Sequence, residues 1–277
     1  MHRAMIRNFR DESPGVRRER RAILLAGPPG AGKTTALSQI LDALNTTPRD
    51  WRVLNADDFK DRLLKLAIDD GSYAERLTPA EVIAIENEGE KVWPRERAAL
   101  VHEESSMIMK LARDQAIRLG ENIIIDGTLS NSDTGSRLVA HLEENRYVVQ
   151  IVLVDGPRNV TEARVDYRWS QGYESAVNKI PSIRDENLLV LGGRWVPSEV
   201  IDALYSQGDE QSICKSAAST IAESSLSVDQ IDEYRITEPA GKPKLVEQRI
   251  GKSASGRWSR TRAVSYRWKS DGKPYPL

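Results

Sequence analysis

Residues Gly27-Pro28-Pro29-Gly30-Ala31-Gly32-Lys33-Thr34 have the spacing G-x-x-x-x-G-K-T of a phosphate-binding loop. Glycines allow successive backbone N–H groups to turn toward one anion without a Cβ clash. The N-terminus of the helix that should follow adds a partial positive charge. In such a loop Lys33 reaches the β- and γ-phosphates, and Thr34 offers its hydroxyl to Mg²⁺. Gly27 to Thr35 are therefore expected to hold ATP with Mg²⁺.

Phosphates alone do not separate a motor, a switch and a small-molecule kinase. Asp57 directly follows the apolar run Trp51 to Ala56. That places it at the carboxyl edge of a sheet, where open α/β folds bind ligands. A carboxylate there can take the proton of a hydroxyl attacking the γ-phosphate. It can equally cap a helix, and Asp58 is its rival. Asp126 ends Ile123-Ile124-Ile125 and begins Asp126-Gly127-Thr128. It suits a metal-side or substrate-side carboxylate, or an Asx turn leaving the strand. Asp155 competes for that position, but Pro157 follows closely and favours a plain helix start.

Arg164 and Arg168 are four apart and share a helix face, and Arg194 lies in Gly193-Arg194-Trp195-Val196-Pro197. Phosphoryl transfer needs cations at the γ-phosphate, and any of the three arginines could act as a finger. His102 has no second histidine at ligand spacing, so zinc is not expected; His2 and His141 carry no signal. A guanine-reading motif would need Asp where Asn178-Lys179-Ile180-Pro181 has proline, which weighs against a GTPase switch.

The positioning elements alternate strand and helix. Strands are predicted at 22–27, 51–56, 122–126 and 147–154, β-branched and nearly continuous in apolar character, as in strands buried on both faces. Helices are predicted at 33–44, 58–68, 79–90, 95–119, 133–144, 157–171 and 197–206. In 95–119, Leu100, Ile108, Leu111 and Leu119 share a face, and Gly120 stops the helix. Residues 231–237 and 244–248 flank Glu238-Pro239-Ala240-Gly241-Lys242 and read as a C-terminal β-hairpin. The expected fold is α/β, a P-loop NTPase-like three-layer arrangement with a mostly parallel sheet. A kinase domain over 21–250 carries helical insertions at about 69–94 and 172–193. A basic extension (1–20) precedes it, and a basic, aromatic tail (251–277) follows.

A length of 277 residues, 39% hydrophobic and 29% charged, describes an ordinary folded chain. The formal net charge of −1 does not advertise nucleic acid or membrane. The tail interleaves Lys252, Arg257, Arg260, Arg262, Arg267, Lys269 and Lys273 with Trp258, Tyr266, Trp268 and Tyr275, and is the one feature compatible with nucleic acid. The single cysteine, Cys214, excludes an internal disulfide and a multi-cysteine metal site. No apolar run reaches the ~18 residues of a membrane span. The arginine-rich start lacks the apolar core of a secretory signal, so a cytoplasmic location is expected.

The chain resembles the zeta toxin family, P-loop kinases of bacterial toxin–antitoxin systems, over roughly residues 20–206. The resemblance runs through the P-loop, Asn55-Ala56-Asp57-Asp58-Phe59-Lys60, His102-Glu103-Glu104-Ser105 and Asn122 to Thr128. It continues through Ala163-Arg164-Val165-Asp166-Tyr167-Arg168 and Arg194-Trp195-Val196-Pro197. It implies ATP- and Mg²⁺-dependent phosphorylation of the UDP-N-acetylglucosamine sugar at its 3′-hydroxyl. Asp57 matches the family's base, and Lys33 and Thr34 match its phosphate and metal ligands. Asp126 stands where the family often has Glu; with Thr128 and Ser105 it falls on the substrate side. Arg168 matches the first γ-phosphate arginine in preference to Arg164, and Arg194 the second. The second insertion separates positions 168 and 194. No antitoxin-like segment is present, so an inhibitor would be a separate protein. Alternatives are a kinase of NAD or another nucleotide, an antibiotic or a polynucleotide end, and a nucleotide-dependent switch without an acceptor.

Overall fold

The computed structural model describes all residues except 183, 184, 207, 254, 264, 265, 269–273 and 277, with side chains described up to 262. Of the tail charges, Lys269, Asp271 and Lys273 therefore lie outside the described residues. The centre is a seven-stranded sheet in the order β2-β3-β1-β4-β5-β6-β7. Its strands are β1 (Arg21–Ala26), β2 (Arg52–Asn55), β3 (Ile123–Asp126), β4 (Val148–Asp155), β5 (Val228–Arg235), β6 (Lys244–Lys252) and β7 (Trp258–Ala263). β1 to β5 are parallel. β6 and β7 are antiparallel additions, so the predicted hairpin is the pair β5–β6.

Period-two alternation sends successive side chains to opposite faces, and both faces are covered. Leu24, Ile123, Ile125, Ile151 and Leu153 join the larger core, whereas Ile23, Leu25, Ile124, Val152 and Val154 join the smaller one. Burial on both sides explains the nearly unbroken apolar runs.

The helices are α1 (His2–Asp11), α2 (Lys33–Ala43), α3 (Ala56–Asp69), α4 (Ser72–Arg76), α5 (Ala80–Asn87), α6 (His102–Arg118), α7 (Ser132–Glu144), α8 (Arg158–Val177), α9 (Leu188–Leu191), α10 (Ser198–Leu204) and α11 (Ile213–Ser224). None among the described residues is long and apolar enough to cross a membrane. The basic start folds as α1, which buries Met5 and Phe9; the Phe9 ring lies 5.0 Å from that of Phe59 on α3. Beneath it Glu121 accepts from Arg10 (2.6 Å) and Arg52 (3.1 Å).

The predicted helix 95–119 divides. Residues Pro94–Val101 form a 3-10 segment and α6 starts only at His102. Arg95 and Arg97 are both buried, the first on Asp61, Asp185 and Gly192 and the second on Leu77, Thr78 and Val92. Leu100, Leu111 and Leu119 are exposed rather than forming the inner face. Of the predicted face only Ile108 is buried; Ser105, Ala112 and Ala116, small residues, and Ile117 complete the inner face. Gly120 does stop the helix, with φ +69°. β7 and the backbone pair of Tyr266–Trp268 with Pro274–Pro276 occupy the expected tail.

Candidate active site

The loop after β1, the start of α3 after β2 and the exit of β3 meet at the carboxyl edge of the sheet. Gly27 donates its N–H to the carbonyl of Thr128 at 2.9 Å, tying the P-loop to the β3 exit. Glycine is required there: φ is +132°, and a Cβ would lie 2.0 Å from the Val154 carbonyl oxygen. At Gly30 a Cβ would lie 2.3 Å from the Thr161 oxygen on α8. Lys33 opens α2 and donates to the carbonyls of Gly27 (2.9 Å) and Pro28 (3.2 Å). Burial pushes its ammonium down, and the charges of Asp126 and Asp57 oppose that.

A cleft of about 1130 Å³ opens along this edge. Its walls include Pro29, Gly30, Gly32, Lys33, Thr34 and Thr35 from the P-loop, Asp57 and Lys60 from α3, Asp126 and Thr128 from the β3 exit, Arg164 and Arg168 from α8, and Arg194. The separated sequence candidates thus converge, except that Gly27, Pro28 and Ala31 of the loop, and Ser105, do not line the cleft. Ser105 is fully buried, donates to the His102 carbonyl at 2.8 Å and does not line the cleft. His102, one turn earlier on α6, lines it instead.

Asn55 organises the two carboxylates. It pairs with Asp126 in the parallel register of β2 and β3. Its Nδ2 donates to Asp126 Oδ2 at 3.3 Å, and its Oδ1 caps α3 by accepting from the Asp57 N–H at 2.9 Å. Asp57 itself faces two cations: Lys60 Nζ at 3.0 Å from Oδ1, and Arg194 Nη1 at 2.9 Å from Oδ2. Burial alone would raise its pKa, but Arg194, Lys60 and Arg168 outweigh it and hold the carboxyl below the usual range. Asp57 is therefore ionised and able to accept a proton. Asp58 does not line the cleft; desolvation and the Asp61 and Asp57 charges push it up to about 6, against Arg194. Burial raises Asp126, with Lys33 opposing.

The arginines differ in their ties. Arg164 donates through Nε to the Gly30 carbonyl (2.6 Å), and through Nη1 to those of Pro239 (2.7 Å) and Gly241 (3.0 Å). It clips the P-loop to the β5–β6 connection. Arg168 has no ion pair among the described residues; burial and the like charge of Arg194 push its pKa down. Two guanidinium groups and an ammonium sharing one partly buried cleft favour an anion between them. Asp155 is elsewhere: it accepts from the Ser212 hydroxyl (2.8 Å) and N–H at the start of α11.

Sequence reading missed Asp61 and Arg95. Asp61 is buried and accepts from Arg194 Nη2 (2.9 Å) and from Arg95 Nη2 (2.7 Å) and Nε (3.1 Å). The i, i+4 spacing from Asp57 to Asp61 was the only local sign of it. For Mg²⁺, Thr34 and Asp126 share the cleft. No group of three or more His, Cys, Asp or Glu among the described residues could hold a metal. That donor set fits Mg²⁺, which takes few protein ligands and completes its shell with phosphate oxygens and water.

A profile described as zeta toxin matches residues 8–68 and 84–242. No curated protein matches the chain. Among solved structures, one from the PezAT chromosomal toxin–antitoxin system of Streptococcus pneumoniae is 14% identical with a TM-score of 0.50, over 94% of this chain and 80% of that one. The AvrRxo1-ORF1:AvrRxo1-ORF2 complex with sulphate ions is 17% identical with a TM-score of 0.58, over 93% and 68%. The AvrRxo1-ORF1:-ORF2 complex with ATP is 18% identical, with the same TM-score and coverage. At these identities the likeness is one of fold. The profile spans well over half of the chain and contains the P-loop, Asp57, Asp126, Arg168 and Arg194. On that match the chain belongs to the zeta toxin family.

Proposed function

We propose that this protein is a kinase toxin that transfers the γ-phosphate of ATP to the 3′-hydroxyl of the UDP-N-acetylglucosamine sugar. The observation that carries the proposal is the meeting of Lys33, Arg168 and Arg194 with an ionised Asp57 in one cleft. Lys33 and the P-loop N–H groups hold the β- and γ-phosphates, with Arg164 bracing the loop. Asp57 accepts the proton of the attacking hydroxyl. The new bond joins that oxygen to the γ-phosphorus; the bond to the β–γ bridging oxygen breaks, and ADP leaves with the electron pair. Arg168 and Arg194 offset the charge on the transferring oxygens. Thr34 and Asp126 would hold Mg²⁺, which supplies further neutralisation of phosphate charge. Asp126 and Thr128 border the acceptor side.

The ATP present in one AvrRxo1 complex supports ATP as donor. The toxin–antitoxin source of another neighbour supports a separate antitoxin as partner. The acceptor rests on family membership. It is tested by ATP turnover across UDP-sugars, nucleotides and aminoglycosides, with mass analysis of the product. UDP-N-acetylglucosamine should give the fastest turnover and gain one phosphoryl group. Faster turnover with a nucleotide or antibiotic would move the assignment to that acceptor.

A further inference from the structure

Arg194 does not stand alone beside Asp57. Its Nη1 meets Asp57 Oδ2, while its Nη2 meets Oδ2 of the buried Asp61, both at 2.9 Å. That Asp61 oxygen is shared. Arg95 Nη2 donates to it at 2.7 Å, and Arg95 Nε donates to the other oxygen at 3.1 Å. Arg95 is almost fully buried. It also donates to Asp185, through Nη2 at 2.9 Å and through Nη1, and to the Gly192 carbonyl at 3.1 Å. Gly192 is two residues before Arg194. One guanidinium therefore grips both the carboxylate that receives Arg194 and the chain that delivers it.

We infer that Arg95 is a positioning residue for phosphoryl transfer, acting through Asp61 and Gly192 to hold Arg194 at the cleft. The inference rests on the proposed kinase reading. The reason is charge balance. Asp61 is buried and needs compensation. With Arg95 in place, Asp61 has a bidentate partner and asks only one N–H of Arg194. Without Arg95, Arg194 becomes the sole guanidinium on Asp61 and is drawn into it, away from Asp57 and the phosphate. The loss of the Gly192 tie frees the same segment. Arg95 itself does not line the cleft, so its loss leaves the P-loop ligands untouched.

The test is a double-mutant cycle of Arg95→Gln and Arg194→Ala in the full chain. It reads kcat for ATP consumption with the fastest acceptor of the panel, and ATP affinity by titration. Arg95→Gln should lower kcat by about tenfold to a hundredfold, as for a misplaced catalytic group, with ATP affinity within about twofold. In the Arg194→Ala background the same change should have little further effect, because its target is gone. Arg95→Lys, which keeps the charge but not the fork, should fall between. If Arg95→Gln does not fold, Arg95→Lys and the partly exposed Asp185→Asn enter the same cycle. Additive losses, or unchanged kcat, would overturn the positioning role. Full turnover by Lys33→Ala would instead overturn the kinase reading itself.

Discussion

Asp57 is ion-paired with both Lys60 and Arg194, and this pairing keeps it ionised. A carboxylate so paired retains further lone pairs for an incoming proton. Arg164 and Arg168 share a helix face, yet their surroundings separate their roles. Arg164 is spent on three backbone carbonyls, so Arg164→Ala should weaken ATP binding more than it lowers kcat. Arg168 has no ion pair among the described residues, so Arg168→Ala should lower kcat by about a hundredfold, as for loss of a transition-state donor. Steady-state kinetics with varied ATP separates the two; the reverse pattern would exchange their roles. Lys33, Asp57 and Asp126 were legible in sequence because each sits at a fixed offset from a strand or motif, whereas Arg168 and Arg194 were singled out only by the family resemblance. Asp61 and Arg95 were not legible, since their ion pair spans 34 positions and has no local signature.

At the scale of elements, the parallel strands were legible because burial on both faces leaves apolar runs. The helices divided by mechanism. α11 escaped notice because its buried face is Cys214, Ala217, Ala218, Ile221 and Ala222, mostly small residues with little apolar contrast. The 3-10 segment before α6 escaped because its buried positions include two arginines, which read as solvent-facing in sequence. β5 holds a different kind of surprise. Asp232 is fully buried and accepts from the amides of Gln150, Gln230 and Gln248, with no ion pair among the described residues. Burial raises its pKa, against those hydrogen bonds. Between the unfolded value of about 3.8–3.9 and the higher folded one, the native state keeps a proton that the unfolded chain has lost. Stability from this group therefore falls as pH rises through that window, and the loss persists above it. Urea unfolding across pH should show wild type losing ground to Asp232→Asn as pH rises through the window. A difference independent of pH would contradict this.

The whole molecule is a sheet covered on both faces, with the cleft along one edge and α1 packed at the β2 end. The first twenty residues read as a basic extension because their arginines outnumber their acidic residues, Asp11, Glu12 and Glu19. The helix buries only Met5 and Phe9, with Ile6 packed beside them, too short an apolar face to show against that charge. Phe9→Ala should cost about 3–5 kcal/mol in urea unfolding and leave kcat unchanged, since neither Phe9 nor its partner Phe59 lines the cleft. A loss below about 1 kcal/mol would mean that α1 adds little to the fold.

The central claim is that this cleft moves a phosphoryl group to a hydroxyl with Asp57 as base. The most direct measurement is mass analysis of UDP-N-acetylglucosamine after incubation with ATP and either wild type or Asp57→Ala, beside ATP affinity for both. Wild type should add one phosphoryl group and the variant none, with similar ATP affinity in the two. Full phosphorylation by Asp57→Ala would contradict it.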